Sequence, residues 1–133
     1  MFKSLVLISS FVILSCITSF GQGDWEKIKT PTDYNLLKIC YFDSLHCWVA
    51  GDSGVIMFSS DQGVTWEIQN SGVSNYIHDI FFLNDSLGWA VAFELENFNL
   101  RSKILSTSNG GQNWQVANYR ALNIILNTIF FQD

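Results

Sequence analysis

The sequence has little proline, little charge and few cysteines. One proline stands against nine glycines in 133 residues, so its turns depend on glycine rather than on proline. Charged residues make up 14% of the chain, and the formal net charge is -5. No run of lysine or arginine is present, which excludes the basic surface that binds nucleic acids or anionic membranes. A hydrophobic fraction of 48%, with 15% aromatic residues, instead indicates a folded protein.

Long apolar runs are also scarce, and the one at the N-terminus is short. Lys3 precedes an apolar core over Ser4–Leu14, which is shorter than the roughly 20 apolar residues of a membrane-spanning helix. This pattern is typical of a signal peptide, and the small residues Ser19 and Gly21 ahead of Gln22 mark a cleavage site. We therefore predict a signal peptide at residues 1–21. The mature protein would be exported to the bacterial periplasm, the cell surface or the medium.

A second processing route is open. The stretch Ile13-Leu14-Ser15-Cys16 resembles a bacterial lipobox, in which Cys16 would carry a lipid anchor. Leu14 is bulky for its place in that motif, so simple cleavage is the favoured interpretation. We expect contact with a membrane only if Cys16 is lipidated.

Cys40 and Cys47 flank a predicted turn, and two interpretations apply to them. In an oxidising compartment they could form a disulfide, provided that their Cα atoms lie within about 7 Å and their Cβ vectors face each other. The favoured interpretation is a pair of small, buried hydrophobic side chains. His46 and His78 lack ligand partners at metal-binding spacing, so we predict a structural role for both, no metal site and no cofactor.

The tryptophans reveal an internal repeat. Two pairs are each 23 residues apart, namely Trp25 with Trp48 and Trp66 with Trp89. The step from Trp25 to Trp66 is 41 residues and the step from Trp66 to Trp114 is 48, so the second unit contains seven additional residues. We predict repeat units at residues 25–65, 66–113 and 114–133, the last of them incomplete.

Each full unit contains four short segments that are rich in β-branched and aromatic residues and are separated by turn signals. In the first unit they are Leu36–Phe42, Cys47–Gly51, Val55–Ser59 and Thr65–Gln69. In the second unit they are residues 76–83, 88–93, 103–107 and 113–117. The terminal LNTIFFQD matches IHDIFFLND at Ile77–Asp85, which indicates the start of a third unit. Four strands in about 40 residues match the size of a propeller blade.

The stretch SSDQGVTW at Ser59–Trp66 recurs as TSNGGQNW at Thr107–Trp114, and a motif that recurs is more often architectural than catalytic. An aspartate at a hairpin turn accepts hydrogen bonds from turn N–H groups, and glycine adopts backbone conformations that other residues resist. Hydroxyl side chains satisfy further turn groups, and tryptophan packs over the hairpin. We predict structural roles for Ser59, Asp61, Gly63, Thr65, Trp66, Thr107, Asn109, Gly111 and Trp114.

These motifs resemble the BNR or Asp-box repeats of bacterial sialidases, sortilin-like receptors and photosystem II stability/assembly factor-like propellers. The resemblance rests on GWAV and on CWVAGDSGVIMFSSDQGVTW, and it covers nearly everything after Trp25. The first box matches in full, whereas the second has Thr107, Asn109 and Asn113 at the Ser, Asp and Thr positions. The resemblance implies an all-β propeller of four-stranded antiparallel blades, commonly six or seven of them. It implies no single activity.

The length of the chain departs from that family. The residues after Gly21 provide about two and a half blades, whereas propellers usually close with about four to eight. Repeating units bury their faces against their neighbours, so three or more are normally needed for stability. We therefore expect the chain to be an N-terminal fragment of a longer protein.

In such propellers, the loops between strands two and three share one face with the connections between blades, and ligands bind there. The additional residues of the second unit would fall on that face, where their polar members are Glu94, Glu96, Asn97, Asn99 and Arg101. The connections Thr30–Asn35 and Asn70–Asn75 would lie beside them. We predict a binding loop for a protein or glycan partner; the alternative is a solvated loop without a partner.

An enzymatic function is the main alternative class. The resemblance to Asp-box sialidases would imply an arginine cluster that holds the substrate carboxylate, a tyrosine nucleophile backed by glutamate, and an aspartate acid. The chain has only Arg101 and Arg120, and neither lies in a matching motif. No catalytic residue carries over, so we expect a non-enzymatic binding or assembly module. The alternatives are a fragment of a sialidase-like glycoside hydrolase and a spacer in a cell-surface adhesin.

Overall fold

The computed structural model describes residues 27–131, so the predicted signal peptide, Cys16 and Trp25 lie outside it. The turn residues seen in the sequence separate eight strands. They are β1 Leu36–Tyr41, β2 Cys47–Gly51, β3 Ile56–Ser59, β4 Glu67–Gln69, β5 Tyr76–Phe82, β6 Gly88–Glu96, β7 Asn99–Thr107 and β8 Gln115–Leu122. One short 3-10 turn, Asp52–Gly54, joins β2 to β3. Across residues 27–131, no helix is long and apolar enough to cross a membrane.

The strands form two four-stranded sheets, with the orders β1-β2-β3-β4 and β5-β6-β7-β8. Every pairing is antiparallel and joins strands that are consecutive in the chain. β1 and β5 each contain a register shift at the same repeat position, Leu36/Lys38 and Ile77/Asp79. The predicted all-β class, built from four-stranded antiparallel units of the propeller-blade type, is confirmed.

The hydrophobic core lies between the two sheets. Trp48 of β2 stacks on Phe82 of β5, with ring centroids 3.7 Å apart and an interplanar angle of 12°. The other fully buried members of this core come from both sheets: Ala50, Ile56, Ile77, Ile80, Ala90, Ala92 and Leu105. Because side chains alternate between the two faces of a strand, Trp48 and Ala50 point to the second sheet while Val49 points away from it.

On the opposite face of the first sheet, Trp66 packs against Val49 and Met57, but the side chains of the edge strand β1 are exposed. Leu36, Ile39 and Tyr41 of β1 are 38%, 44% and 60% exposed. Ile77, Ile80 and Phe82, which occupy the same positions of β5 and are packed against the first sheet, are 0%, 1% and 4% exposed. The same repeat positions are therefore buried where a neighbouring sheet is present and exposed where none is.

The segment after β8 packs against the second sheet at the positions predicted for a third unit. The ring of Phe131 lies 4.2 Å from that of Trp89 between centroids, which parallels the contact of Phe82 with Trp48. Residues 124–131 do not form a strand in the described structure. The boundaries of the three repeat units stay a prediction.

Asp79 of β5 links three parts of the chain. One carboxylate oxygen lies 2.9 Å from the ammonium nitrogen of Lys38 in β1. The other accepts hydrogen bonds from the Thr128 hydroxyl at 2.7 Å and the Ile129 N–H at 3.0 Å. Burial raises the pKa of Asp79, but the bonds from Lys38, Thr128 and Ile129 outweigh it, so the pKa is lower than usual. Asp79 is therefore an ionised carboxylate that joins both sheets and the following segment.

The two described cysteines are free. Cys40 is paired across the strands with Trp48 and Cys47 with Tyr41. Since Cys47 and Trp48 are adjacent in β2, their side chains point to opposite faces of the sheet, and so do the two thiols. Burial raises the pKa of both cysteines, which keeps the thiols protonated. The structure thus agrees with the interpretation of two small apolar side chains rather than a disulfide.

Candidate binding surface

The first Asp box forms a closed hydrogen-bond network. The Ser59 hydroxyl donates to Asp61 Oδ1 at 2.8 Å and accepts from the buried Gly63 N–H at 2.8 Å. Asp61 accepts from the N–H and hydroxyl of Thr65 at 2.8 and 2.6 Å. The bonds from Thr65 and Ser59 lower the pKa of Asp61. Gly63 has a φ of +85°, and a Cβ at this position would approach the Trp66 ring to 3.1 Å. Both observations explain why the position is occupied by glycine.

The second box reproduces the network with different residues. The Thr107 hydroxyl donates to Asn109 Oδ1 at 3.0 Å and accepts from the Gly111 N–H at 3.0 Å. Asn109 Oδ1 also accepts from the Asn113 N–H at 3.0 Å. In both boxes the polar side chains are occupied by the N–H and hydroxyl groups of their own turn. This geometry supports the predicted structural role of both boxes.

The second Asp box also connects the two sheets. The carbonyl oxygen of Gly110 accepts a bond from the indole N–H of Trp48 at 3.2 Å and one from the Gln69 amide at 2.8 Å. Trp48 is 1% exposed, so its N–H needs this protein acceptor. The box therefore helps to position one unit against the next.

The additional residues of the second unit form strands rather than the predicted loop. β6 and β7 contain nine residues each, against five and four in β2 and β3. Nine cross-strand pairs run from Gly88 with Thr107 to Glu96 with Asn99. The turn consists of Asn97 and Phe98, with φ values of +50° and +62°, as in a type I′ hairpin. The prediction of a loop was wrong because alternating side chains and an asparagine turn favour a continued hairpin.

Four of the predicted site residues, Glu94, Glu96, Asn99 and Arg101, lie in these strands, and Asn97 lies in the turn. A carboxylate oxygen of Glu94 is 2.8 Å from the Lys103 ammonium, and one of Glu96 is 3.1 Å from Arg101 Nε. The hydrogen bond from Lys103 is the main reason that the pKa of Glu94 is lowered. The four charges of the hairpin are therefore paired with one another.

The connections between units lie at the same end of the sheets as this hairpin. The Asn75 side chain bonds to Glu94 at 3.3 Å and accepts from Lys103 at 3.1 Å. In the first unit, the Asn35 amide donates to Asp52 at 2.8 Å, beside the turn between β2 and β3. The Asp-box turns join β3 to β4 and β7 to β8 and therefore lie at the other end of the strands.

Sequence analysis missed the apolar residues of the hairpin. Phe98 is 97% exposed and Leu95 is 66% exposed. We call residues 95–100 the hairpin tip. The signal in the sequence was a phenylalanine directly after Asn97, where a hairpin turn favours glycine.

The described residues do not converge into a catalytic group. His46 Nδ1 lies 2.8 Å from Asp43 in an exposed turn, and His78 stacks on Phe93 with centroids 4.4 Å apart. Arg101 is paired with Glu96, and Arg120 is exposed on β8. Within residues 27–131, no three His, Cys, Asp or Glu side chains are placed to hold a metal ion.

The successive four-stranded sheets and their Asp-box turns define a repeat protein of the β-propeller class. The sequence model of the family described as photosynthesis system II assembly factor YCF48 matches residues 12–96. The chain belongs to this family. The predicted similarity to BNR-type photosystem II assembly factors is thereby confirmed.

Individual relatives match shorter parts of the chain. The photosystem II assembly protein Ycf48 of Thermosynechococcus vestitus is 33% identical over 51 residues, which are 38% of this chain and 15% of that protein. The photosystem II assembly lipoprotein Ycf48 of Prochlorococcus marinus is 33% identical over 70 residues, 48% of this chain and 21% of that protein. The chain thus spans about a fifth or less of these relatives.

The structural comparison gives a match of the same name. A solved structure of YCF48 bound to a D1 peptide is 21% identical, with a TM-score of 0.46. The match covers 69% of this chain and 42% of that one.

Proposed function

We propose that this protein is an exported, non-enzymatic module that binds a protein partner and assists its assembly. The observation that carries the proposal is membership of a family described as an assembly factor. An assembly factor acts by holding another protein, and it requires a contact surface rather than catalytic groups. The surface we propose is the end of the sheets that carries the β6–β7 hairpin and the connections around Asn35 and Asn75.

The hydrogen bonding of the polar residues supports a binding function over catalysis. Asp61 is occupied by Thr65 and Ser59, and Asp79 by Lys38 and Thr128. A glycoside hydrolase would need free carboxylates that flank a substrate. No contact among the described residues favours that alternative, and none favours a glycan over a protein partner.

We further propose that the described sheets belong to a propeller with more units than this chain provides. The support is the exposed face of β1, where Leu36 and Ile39 occupy positions that the second unit buries against a neighbour. Another unit with an aromatic face would cover them and remove their apolar surface from water. The proposed domain is residues 22–133, preceded by the signal peptide at residues 1–21.

Export is proposed from the apolar N-terminal segment. The name of the Prochlorococcus relative, a lipoprotein, is compatible with the alternative lipid anchor at Cys16. Mass determination of the mature N-terminus would separate cleavage before Gln22 from lipidation at Cys16.

The proposed function is tested by purifying the protein together with the proteins bound to it. The full chain, with a C-terminal affinity tag, is expressed in its source cells and purified from the envelope under mild detergent, with untagged cells as the control. We expect at least one other protein in a fixed ratio to the chain. Purification of the chain alone, together with hydrolysis of a sialoside by the same preparation, would favour the glycoside hydrolase instead.

A further inference from the structure

The hairpin tip presents an apolar surface that the fold does not explain. Phe98 is 97% exposed, so its ring gains no burial within the described structure. Its φ of +62° is in the left-handed region, which a bulky side chain disfavours and glycine accepts readily. Phe98 therefore stabilises neither the turn nor the core.

The tip is held in a defined position. The Leu100 N–H donates to the Asn123 side chain at 3.1 Å, and the Leu100 carbonyl accepts from the Asn123 N–H at 2.8 Å. Through these bonds the segment that follows β8 lies beside the paired strands β6 and β7, next to the turn. A surface that is already ordered loses little conformational entropy when it binds.

The two faces of the hairpin differ in chemistry. Because cross-strand partners share a face, Glu94 lies with Arg101, and Leu95 lies with Leu100 on the other side. The charges on the polar face are paired with one another, at 2.8 Å for Glu94 with Lys103 and 3.1 Å for Glu96 with Arg101. Each carboxylate of the hairpin thus lies beside a cation, and Phe98 and Leu95 are its exposed apolar side chains.

We propose that the hairpin tip is the point of contact with the protein partner, where Phe98 and Leu95 enter an apolar, uncharged pocket on that partner. The inference rests on the proposed function, since it assigns a residue-level contact to the binding module. A protein pocket fits better than an anionic membrane, because the chain carries a net charge of -5 and the cations of the hairpin are already paired with carboxylates.

The test compares two positions by photo-cross-linking in the full chain. Benzoylphenylalanine replaces Phe98 in one preparation and Val64 in the other. Val64 is also exposed, at 74%, but lies in an Asp-box turn at the far end of the strands. We expect irradiation to join position 98, and not position 64, to the protein that copurifies with the chain. The cross-linked segment of that protein should be apolar and uncharged.

A substitution makes the same test quantitative. Phe98→Gly introduces the residue that this type of turn favours, so the melting temperature should stay the same or rise. Its affinity for the purified partner should fall about tenfold or more, since a large apolar side chain is lost from the contact. The control Val64→Ser should leave the affinity unchanged.

The outcomes separate this inference from the proposed function. A partner that cross-links at position 64 alone, or binds Phe98→Gly as tightly as wild type, would overturn the inference and leave the function standing. The absence of any copurifying protein would remove the function itself. Sedimentation with phosphatidylcholine vesicles that depends on Phe98, without a protein adduct, would assign the tip to a lipid surface and also overturn the inference.

Discussion

The substitution Thr107→Val examines the Asp-box network with almost no change in shape. Valine keeps the volume of threonine and removes only the hydroxyl, which accepts the Gly111 N–H at 3.0 Å. Thr107 is 5% exposed and Gly111 is also buried, so this N–H would lose its acceptor without access to water. Asn109 is exposed, and its side chain can exchange the lost bond for one to solvent.

The expected cost is therefore that of one unsatisfied buried donor, about 1–3 kcal/mol in the free energy of unfolding. For a domain of roughly 100 residues this lowers the melting temperature by about 4 °C or more. Thermal unfolding followed by circular dichroism measures the change. The control Thr107→Ser keeps the hydroxyl and loses one methyl group, which costs about 0.8 kcal/mol. A valine variant as stable as wild type would refute the reasoning.

Three further predictions concern the contacts of Asp79, the ionised carboxylates and the two cysteines. Asp79→Ala should lower the free energy of unfolding by about 1–3 kcal/mol in chemical denaturation, because Thr128 and Ile129 lose their acceptor while the half-exposed Lys38 can turn to water. The control Asp85→Ala, at an exposed turn, should change it by less than about 0.5 kcal/mol. Equal effects of the two substitutions would contradict the linking role of Asp79. The pKa of Asp43 is lowered to about 2, mainly by the hydrogen bond from His46, and the pKa values of Asp61, Asp79 and Glu94 are also lowered. The stabilisation of the fold by these carboxylates is complete above their unfolded pKa values near 4 and is lost as the pH falls toward 2. A melting temperature that rises on acidification would be inconsistent with these hydrogen bonds. Cys40 and Cys47 should resist a thiol reagent until the protein unfolds, since burial raises both pKa values; rapid labelling of the native chain would disprove their assignment as packed side chains.

The local structure was largely readable from the sequence. Runs such as LLKICYF and turns such as Asp61-Gln62-Gly63 carry their own β and turn preferences, and the tryptophan spacing aligned the two units. The Asp boxes could be predicted because each is a contiguous stretch whose hydrogen bonds join residues at most four positions apart. Those features depend on chemistry between near neighbours, which a single sequence records.

The rest depends on contacts that are distant in the chain. Lys38 and Asp79 are repeat equivalents in separate sheets, and nothing in either segment alone indicates that they pair. The prediction of a loop was wrong because the extra residues of the second unit continue the alternation of β6 and β7, and the partner of each strand is not evident from its own residues. The exposure of Phe98 depends on the position of the turn, which the pairing of β6 with β7 places at Asn97 and Phe98.

In the function proposed for this member of the YCF48 family, the chain holds another protein and does not turn over a substrate. Native mass spectrometry of the chain isolated from its source cells tests this most directly. We expect a complex of the chain with a second protein in a fixed ratio, and a smaller share of that complex when Phe98 is replaced by glycine. A preparation that contains the chain alone, whether or not it is cross-linked before lysis, would contradict it.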